Sequence, residues 1–372
     1  MYDIAIVGAG INGCSVAYAF AKEGKKVLLL DAQGIAHGGS GAAGAFISPK
    51  FSKSGELKEL IGDAFVYSME FYEKNFPHLL HKSQLLHIAQ NENDAEVLKV
   101  YKESTELELL KMPQEALKLL HTQTKEQEHI SINAAVVNAA LMCEAMAKNA
   151  QFVKENVQSL EYDDDRWLLN ETYAARNVVL ATGAYESLVK EPYIKLRGVW
   201  GHRIDIKTST QNPLSIHQFV SISSSNNGIL AIGATHNVHY HPQTATKPYD
   251  IEAGRAELLE KASRTLRLED IEVLKDYTGL RSGSFDYMPI VGNLVLSSET
   301  LQNKNIKFQV KNADFTQYTY YPNMYMINGN GGYGFVLAPY LANVLKESIL
   351  KGKTISKRIS PARFFARWAK KI

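Results

Sequence analysis

The 372-residue chain has few cysteines and almost no net charge. Its two cysteines, Cys14 and Cys143, are too few for a disulfide framework and show no metal-ligand spacing, so both are predicted to be buried thiols. The 41 Lys and Arg residues nearly balance the 39 Asp and Glu residues, which leaves a formal net charge of +2. Attraction of the whole surface to nucleic acid is therefore excluded, and any basic patch must be local.

Long apolar runs and a leader segment are also absent from the sequence. No uninterrupted apolar stretch approaches the roughly 20 residues of a transmembrane helix, and no charged segment with a cleavable apolar region precedes the first predicted strand. We therefore expect a cytoplasmic protein without a membrane partner. The hydrophobic fraction of 45% is typical of globular proteins, and the length predicts two closely connected domains.

The first 31 residues carry a dinucleotide-binding pattern. An apolar run at residues 2–7 leads into GAGING, in which Gly8, Gly10 and Gly13 have the G-x-G-x-x-G spacing, and a helical pattern and a second apolar run ending on Asp31 follow. The glycines permit a tight turn, close approach of a pyrophosphate and close helix packing, while the acid can bind a ribose hydroxyl. A βαβ unit that binds no nucleotide is the alternative. The cofactor-binding residues expected in this segment are Gly8, Gly10, Ile11, Asn12, Gly13, Asp31 and Ala32.

A second strand–glycine–helix pattern, MYMINGNGGYGFVLAPYLANVLKESILKG, lies near the other end of the chain. An alternating, antiparallel-sheet pattern at residues 196–235 separates the two nucleotide-type segments. Such a split favours a flavoprotein with FAD extended between interleaved domains over a nicotinamide dehydrogenase. The N-terminus of the late helix, with Gly331, Gly332, Tyr333 and Gly334, is expected to stabilise negative charge at the flavin. Helices are also predicted at residues 56–76 and 132–151.

Four further stretches carry a family pattern. GGSGAAGAFISPK at residues 38–50 resembles a loop that wraps the flavin, and LRGVWGH at residues 196–202 resembles an R-G-Q-V-S-H segment. GLRSGSFDYMPIVGN at residues 279–293 matches G-x-R…D-x-x-P-x-x-G, and SPARFFARWAKKI at residues 360–372 resembles a P-x-R-F…R tail. The chain thus resembles the D-amino-acid-oxidase-like FAD oxidoreductases, which include glycine oxidase and sarcosine oxidase. Within that group it is most similar to the oxidase domains of MnmC-type tRNA wobble-uridine modification enzymes.

The resemblance implies the fold and the domain organisation. The implied fold is α/β (α+β), with a Rossmann-like FAD-binding domain interleaved with an antiparallel-sheet substrate domain. Ala42 stands where MnmC-type loops usually have Asn, and Phe285 stands where they usually have a second Arg. The predicted FAD-binding domain comprises residues 1–75, 127–195, 277–292 and 323–372, and the predicted substrate domain comprises residues 76–126, 196–276 and 293–322.

The resemblance also implies further site residues. Arg281 is expected to bind the substrate carboxylate through its planar fork, with a structural ion pair to Asp286 or to a surface acid as the alternative. Cys and His show no nucleophile–base or metal arrangement, and a lone His is more often structural than catalytic. The predicted catalytic residues are Arg281, Tyr333 and His202. The further predicted cofactor contacts are Gly39, Ser40, Gly44, Val157, Ala181, Thr182 and Gly183, together with Arg281 and the glycine turn before the late helix.

The implied reaction is oxidation of the N–CH2 bond of an N-substituted glycine, the carboxymethylaminomethyl group of a wobble uridine in tRNA. It would release glyoxylate and leave aminomethyl-uridine, with a separate methyltransferase as a candidate partner acting downstream. The same carboxylate anchor suits free glycine, sarcosine or a D-amino acid, so a small-amino-acid oxidase or dehydrogenase stays open. A non-catalytic FAD-binding subunit is a second alternative.

The C-terminal tail is the sequence feature that bears on RNA binding. Residues 351–372 hold eight Lys and Arg, no Asp or Glu, and the interleaved aromatics Phe364, Phe365 and Trp368. Cations bind phosphates and aromatic rings can stack on bases, so the tail is a candidate tRNA contact. The alternative is a basic helix that docks on the protein with its aromatic side chains buried.

Overall fold

The computed structural model describes residues 1–185, 188–306 and 308–372; Glu186, Ser187 and Lys307 of the predicted domains lie outside it. The strands are β1 (Tyr2–Val7), β2 (Val27–Asp31), β3 (Phe46–Ile47), β4 (Leu80–Ile88), β5 (His129–Val137), β6 (Gln151–Lys154), β7 (Leu160–Asp163), β8 (Arg166–Leu169), β9 (Tyr173–Leu180), β10 (Leu196–Lys207), β11 (Ser215–His217), β12 (Ser221–Ile222), β13 (Ile229–Gly233), β14 (Glu272–Ser284), β15 (Ile290–Val295) and β16 (Tyr320–Asn328). The helices are α1 (Ile11–Lys22), α2 (Glu56–Asn75), α3 (Glu92–Ser104), α4 (Gln114–Leu119), α5 (Thr122–Glu126), α6 (Ala139–Ala147), α7 (Ile251–Ser263), α8 (Ser297–Gln302), α9 (Gly334–Lys351) and α10 (Ala362–Ala369), with 3₁₀ turns at Pro77–Leu79 and Phe315–Gln317.

Local side chains explain where several helices begin and end. The side chain of Asn91 accepts a hydrogen bond from Asp94 N at the start of α3, and Asp250 caps α7 in the same way. At the other end of α9, Gly352 adopts a φ of 68°, the left-handed conformation that commonly terminates a helix. Within the described part of the chain, no helix has the length and apolar character needed to cross a bilayer.

The first compact unit comprises residues 1–38, 143–198 and 281–372. Its sheet has the strand order β15-β16-β9-β1-β2-β6, and β1 runs parallel to both β2 and β9. The central strands β1 and β2 are almost wholly buried, as expected where both faces of a parallel sheet are covered. Cys14 and Cys143 are buried and not disulfide-bonded, as the sequence predicts.

Helix α10 completes the apolar core of this first unit. Phe365 is fully buried, and its ring packs edge-on against Tyr193, Phe308 and Tyr318 at centroid distances of 5.6, 5.8 and 4.9 Å. Phe364 is buried as well. The tail therefore docks with these two rings inside, so neither ring is available to stack on an RNA base.

The second compact unit comprises residues 39–142 and 199–280. Its sheet has the order β14-β10-β13-β12-β11-β4-β5-β3. Strands β10, β13, β12 and β11 pair antiparallel in that order, as do β4 with β5 and β5 with β3, whereas β11 runs parallel to β4. Leu258 of α7 packs with Ile204 and Ile232 on one face of this sheet. The antiparallel region predicted at residues 196–235 is thus confirmed.

Residues 132–151 were expected to form one helix, and that expectation is wrong. The segment 129–137 is strand β5, and only Ala139–Ala147 forms helix α6. Strand β5 pairs with β4 along its whole length, from His129 opposite Ile88 to Val137 opposite Leu80. Tertiary pairing overrides the helical spacing of the small apolar residues here.

The two compact units also group some residues differently from the predicted domains. Residues 39–75 fall in the second unit, although the sequence assigns them to the FAD-binding domain. Residues 293–322 fall in the first unit, although the sequence assigns them to the substrate domain. The functional labels of the two domains stay predictions.

Candidate functional site

The turn between β1 and α1 brings backbone atoms unusually close together. Gly8 has a φ of 105°, and a Cβ there would stand 2.4 Å from the carbonyl oxygen of Ala181. A Cβ at Gly13 would stand only 1.8 Å from the carbonyl oxygen of Gly8. Gly10 precedes α1 in an extended conformation, and no described side chain caps that helix. The positive end of the α1 dipole therefore favours an anion such as a pyrophosphate at this turn.

Asp31 fixes this glycine turn against the end of β2. Its Oδ2 accepts a hydrogen bond from Ala9 N at 2.8 Å, and its Oδ1 accepts from Gln33 N and Gly34 N at 2.8 and 3.0 Å. Ala32 follows as an exposed residue. A carboxylate has about four acceptor positions, so Asp31 can hold the turn and still accept from a ribose hydroxyl.

A second helix N-terminus lies beside the first. The turn at residues 329–334 leads into α9, with Gly329 and Gly331 in the left-handed region at φ 77° and 57°. A Cβ at Gly331 or Gly332 would meet no atom within 4 Å, so open space adjoins the turn. A Cβ at Gly334 would stand 3.3 Å from the side chain of Ile11 in α1. The positive ends of two helix dipoles are thus neighbours.

Amide side chains tie these segments to one another. Asn330 Nδ2 donates to Asn12 Oδ1 at 2.6 Å, which joins the late glycine turn to α1. Asn328 Nδ2 donates to the carbonyl of Gly183 at 2.9 Å, and Ser282 Oγ donates to Asn328 Oδ1 at 2.8 Å. The segment after β9 and the end of β14 are thereby held against the same turn.

Two buried polar atoms at this place have no hydrogen-bond partner among the described residues. They are Thr182 Oγ1 and Asn330 Oδ1. Buried polar groups in native proteins are nearly always hydrogen-bonded, so these atoms indicate a missing polar ligand. The site as a whole fits FAD. It combines the N-termini of α1 and α9, the Asp31 carboxylate that can bind a ribose, the open space beside the late glycine turn and two unsatisfied polar atoms.

Arg281 lies next to the late glycine turn. The carbonyl of the following residue, Ser282, accepts from Gly331 N at 2.8 Å, and Gly283 is bridged to Asn330. Arg281 is half-buried, and this burial lowers the pKa of its guanidinium below its ordinary value. Removal from water strengthens the attraction of such a cation for a carboxylate.

An ion pair between Arg281 and Asp286 is one of the structural alternatives for this arginine. Asp286 is held instead by Arg363 Nε at 2.9 Å and by Arg367 Nη1 at 3.1 Å. Burial alone would raise the pKa of Asp286, but the hydrogen bonds and charge of Arg363 outweigh it and hold that pKa below its usual range. The Asp286 carboxylate thus links the segment at residues 279–293 to the P-x-R-F tail, which contains Arg363 and Arg367.

The remaining predicted residues of the first unit follow β9 or lie in its core. Ala181, Thr182 and Gly183 come directly after β9, where Ala181 N donates to Val7 O at 2.8 Å. Val157 is buried, and its backbone N–H and C=O form no hydrogen bond with the described residues. Those groups are consistent with the predicted contact to adenine, which stays a prediction.

His202 is placed in the second unit in a network of its own. It is fully buried, with Nε2 at 2.9 Å from Asp276 Oδ1 and Nδ1 at 3.5 Å from the hydroxyl of Tyr249. Arg255 donates to the same carboxylate, and this hydrogen bond contributes most to keeping the pKa of Asp276 low. This geometry favours a structural role for His202 over a catalytic one.

The predicted flavin loop also belongs to the second unit. Gly39, Ser40 and Gly44 are half-buried there, and a Cβ at Gly44 would stand 2.7 Å from the ring of Phe46. That glycine is therefore required by local packing. The contacts of this loop with a cofactor stay predictions.

Three site residues escaped the sequence analysis: Ser282, Asn328 and Asn330. In INGNGGYG, Asn328 precedes the first glycine and Asn330 lies between glycines, and an amide side chain at a glycine turn is a signal that could have been used. The pair of Asp286 and Arg363 could not be found locally, because the two residues are 77 positions apart.

Comparison with known proteins shows the family of the chain. Residues 3–348 match the family described as DAO, FAD dependent oxidoreductase. The tRNA 5-methylaminomethyl-2-thiouridine biosynthesis bifunctional protein MnmC of Legionella pneumophila (strain Corby) is 26% identical over 96% of this chain and 56% of its own length. The protein of the same name from Leptospira interrogans serogroup Icterohaemorrhagiae serovar Lai is 25% identical over 99% of this chain and 61% of its own. The chain thus spans little more than half the length of these curated relatives.

Solved structures show the same fold. Glycine oxidase from Bacillus cereus ATCC 14579 superposes with a TM-score of 0.73 at 20% identity, covering 95% of this chain and 96% of that one. L-proline dehydrogenase from P. horikoshii gives a TM-score of 0.74 at 17% identity, covering 98% and 97%. With the glycine motif, the late helix N-terminus and a family match over residues 3–348 in agreement, the chain belongs to the DAO family of FAD-dependent oxidoreductases.

Proposed function

We propose that the chain oxidises the N–CH2 bond of an N-substituted glycine and that its substrate is the carboxymethylaminomethyl group of a wobble uridine in tRNA. When bound, FAD supplies the acceptor for a hydride. The methylene carbon loses that hydride and the nitrogen loses a proton, which leaves a C=N bond. Water then adds to the carbon and the C–N bond breaks, so that glyoxylate leaves and an aminomethyl group stays on the uridine.

The position of Arg281 is the observation that carries this proposal. Arg281 is half-buried and directly precedes Ser282, whose carbonyl accepts from Gly331 N in the glycine turn that opens α9, and it lies in the same unit as the dinucleotide-type turn of α1. The planar fork of an arginine matches both oxygens of a carboxylate. A glycine-type carboxylate held there would keep its neighbouring methylene close to the flavin end of the site.

The residues of the first unit would hold the cofactor as follows. The first N–H groups of α1 would bind the pyrophosphate, and Asp31 would accept from a ribose hydroxyl. Thr182 Oγ1 and Asn330 Oδ1 are the unsatisfied polar atoms that a cofactor would engage. The N-terminus of α9, after Tyr333, would face the negative end of the flavin.

The tRNA substrate is supported by the relatives that align with nearly the whole chain. The names of the Legionella and Leptospira relatives describe biosynthesis of a modified tRNA uridine, and their alignments cover 96% and 99% of this chain. We accordingly place the protein in the cytoplasm with its substrate, and we expect a methyltransferase to act on the aminomethyl product.

Anaerobic mixing tests the substrate directly. Purified protein is mixed without oxygen with tRNA that carries the carboxymethylaminomethyl group, and loss of flavin absorbance is followed in time. Glycine and sarcosine are the comparison substrates. We expect fast bleaching by the tRNA and slow bleaching by the free amino acids. Equal or faster bleaching by the amino acids would indicate a small-amino-acid oxidase, and no bleaching by any substrate would indicate a non-catalytic FAD-binding subunit.

Variants of Arg281 test the carboxylate anchor. Arg281→Ala removes two charge-assisted hydrogen bonds worth about 1.5–3 kcal/mol each, so we expect KM to rise by about 100-fold or more. Arg281→Lys keeps the charge but loses the fork, and should recover only part of the loss. Arg176→Ala, at an exposed arginine of β9, is the matched control. An unchanged KM in Arg281→Ala would exclude this residue as the anchor.

A further inference from the structure

The loop at residues 285–287, between β14 and β15, exposes two aromatic rings. Phe285 is 62% exposed and Tyr287 is 61% exposed, and in the described part of the chain the only other exposed aromatic side chain is Tyr162, at 38%. Tyr287 adopts a φ of 63°, a conformation that is rare for a bulky residue. Strain of this kind persists only where surrounding contacts impose it, and it is frequent at functional sites.

Asp286, between the two rings, imposes that conformation. Its carboxylate accepts from Arg363 Nε at 2.9 Å, from Arg363 Nη2 at 3.0 Å and from Ser284 Oγ at 3.0 Å. Met288 N donates to the same carboxylate at 3.3 Å. Because the middle residue is held from inside, the rings on either side are presented outward in a fixed arrangement. A binding surface that is already ordered loses little entropy when a ligand binds.

Cations lie beside these rings. The guanidinium of Arg197 stands 5.0 Å from the ring centroid of Tyr287, and its Nε is buried without a partner among the described residues. Arg367, which reaches Asp286 from α10, has a side chain that is 50% exposed. Two exposed rings and two arginines thus share one surface, which we call the aromatic–arginine surface (Arg197, Phe285, Tyr287 and Arg367).

We propose that the aromatic–arginine surface binds unstacked bases of a single-stranded RNA segment. Aromatic rings and guanidinium planes are the groups on which exposed RNA bases stack, and arginines also bind the phosphates between them. RNA is favoured over a protein partner because the two arginines beside the rings are cations, which complement the phosphates of RNA. The inference rests on the proposed function, since a tRNA substrate offers unpaired bases in its loops.

The surface is close enough to Arg281 to act on the same RNA. Tyr287 is six positions after Arg281, so their Cα atoms are at most about 22 Å apart. If the modified side chain of one nucleotide reaches Arg281, then neighbouring nucleotides can reach the rings. The surface would therefore position the RNA rather than take part in the chemistry.

RNA binding by a double variant tests this proposal. Phe285→Ala is combined with Tyr287→Asn, because Asn removes the ring while tolerating a positive φ. Tyr162→Ala removes an exposed ring elsewhere in the first unit and is the matched control. Binding is measured by fluorescence anisotropy on the full chain, with a labelled anticodon stem-loop RNA and with a blunt duplex of the same composition. Flavin content and the unfolding midpoint show whether each variant is folded.

We expect the double variant to raise the Kd for the stem-loop by about tenfold or more, which is about 1.4 kcal/mol and within the range for one stacked base. The control should bind as the wild type does, and the duplex should bind weakly and equally to all proteins. If the double variant is misfolded, Phe285→Ala alone, at a side chain that is mostly exposed, should raise the Kd by about fivefold.

Two outcomes would overturn the proposal, and they differ in what else they affect. If the wild type binds the stem-loop and the folded variants bind it equally well, this surface is not the contact, while the tRNA substrate stands. If the wild type does not bind the stem-loop at all, both the tRNA substrate and this surface are refuted.

Discussion

The ion pair between Arg363 and Asp286 connects the C-terminal helix α10 to the loop after β14. Removing it tests whether this pair holds α10 in place. Arg363 of α10 is 8% exposed. Its Nε and Nη2 donate to Asp286 at 2.9 and 3.0 Å, Nη2 also donates to Met288 O at 2.9 Å, and Nη1 donates to Ser360 O at 3.0 Å. Arg363→Met keeps an unbranched apolar stem of similar length and removes all four hydrogen bonds.

The expected loss of stability follows from what remains around Asp286. Removing one partner of a buried ion pair costs about 3–5 kcal/mol, because the other charge stays buried. Asp286 is 19% exposed and keeps Arg367 and Ser284 as donors, so the lower end of that range applies, about 3 kcal/mol. Arg367→Met removes a 50% exposed partner of the same carboxylate and should cost less than about 1 kcal/mol.

Urea unfolding measures both variants. Tryptophan fluorescence is a suitable signal because Trp368 lies on α10, next to the ion pair. We expect Arg363→Met to lower the unfolding midpoint clearly and Arg367→Met to lower it slightly. Equal shifts in the two variants, or no shift in Arg363→Met, would refute the reasoning that this buried pair holds α10 in place.

Three further predictions concern the cofactor turn and the effect of pH. Gly13→Ala places a Cβ 1.8 Å from the carbonyl oxygen of Gly8, so α1 must move. We expect the purified variant to have lost its flavin absorbance, and a wild-type flavin content would contradict this. The pKa of Asp286 is lower in the folded than in the unfolded chain, so the ionised carboxylate stabilises the fold above the ordinary carboxyl pKa of about 3.9, and this effect is lost as pH falls below that value. The difference in unfolding free energy between the wild type and Asp286→Asn should therefore shrink in acid. Burial lowers the pKa of His217 to about 3 and that of His87 to about 4, so only the unfolded chain takes up protons below the ordinary value of 6.5. Stability should accordingly fall from pH 6.5 downward, and His217→Gln should reduce the slope of unfolding free energy against pH; an unchanged slope would show that His217 is not held neutral.

The parts of the site that the sequence predicts well are those built by neighbours in the chain. The spacing of Gly8, Gly10 and Gly13 requires a strand, a tight turn and a helix in succession, and Asp31 ends the next strand. Each of these features depends on backbone geometry within a few residues, which a single segment can specify. The glycine turn before α9 was found for the same reason.

Features that depend on distant partners were missed or left open. The helical spacing of residues 132–151 gave no sign that residues 129–137 pair with β4 in the folded chain. The sequence of the basic tail is equally compatible with RNA contact and with docking on the protein. The structure shows docking, because Phe365 is buried in the core of the first unit and Arg363 is paired with Asp286.

The sequence by itself determined the class of cofactor and the family, because short motifs of glycine and charge specify local backbone shape. Only the tertiary structure decided which acid pairs with which arginine, which aromatic rings are buried and which face solvent, and which polar atoms are left for a ligand. Those choices depend on groups far apart in the chain that meet only when burial of apolar side chains brings their elements together.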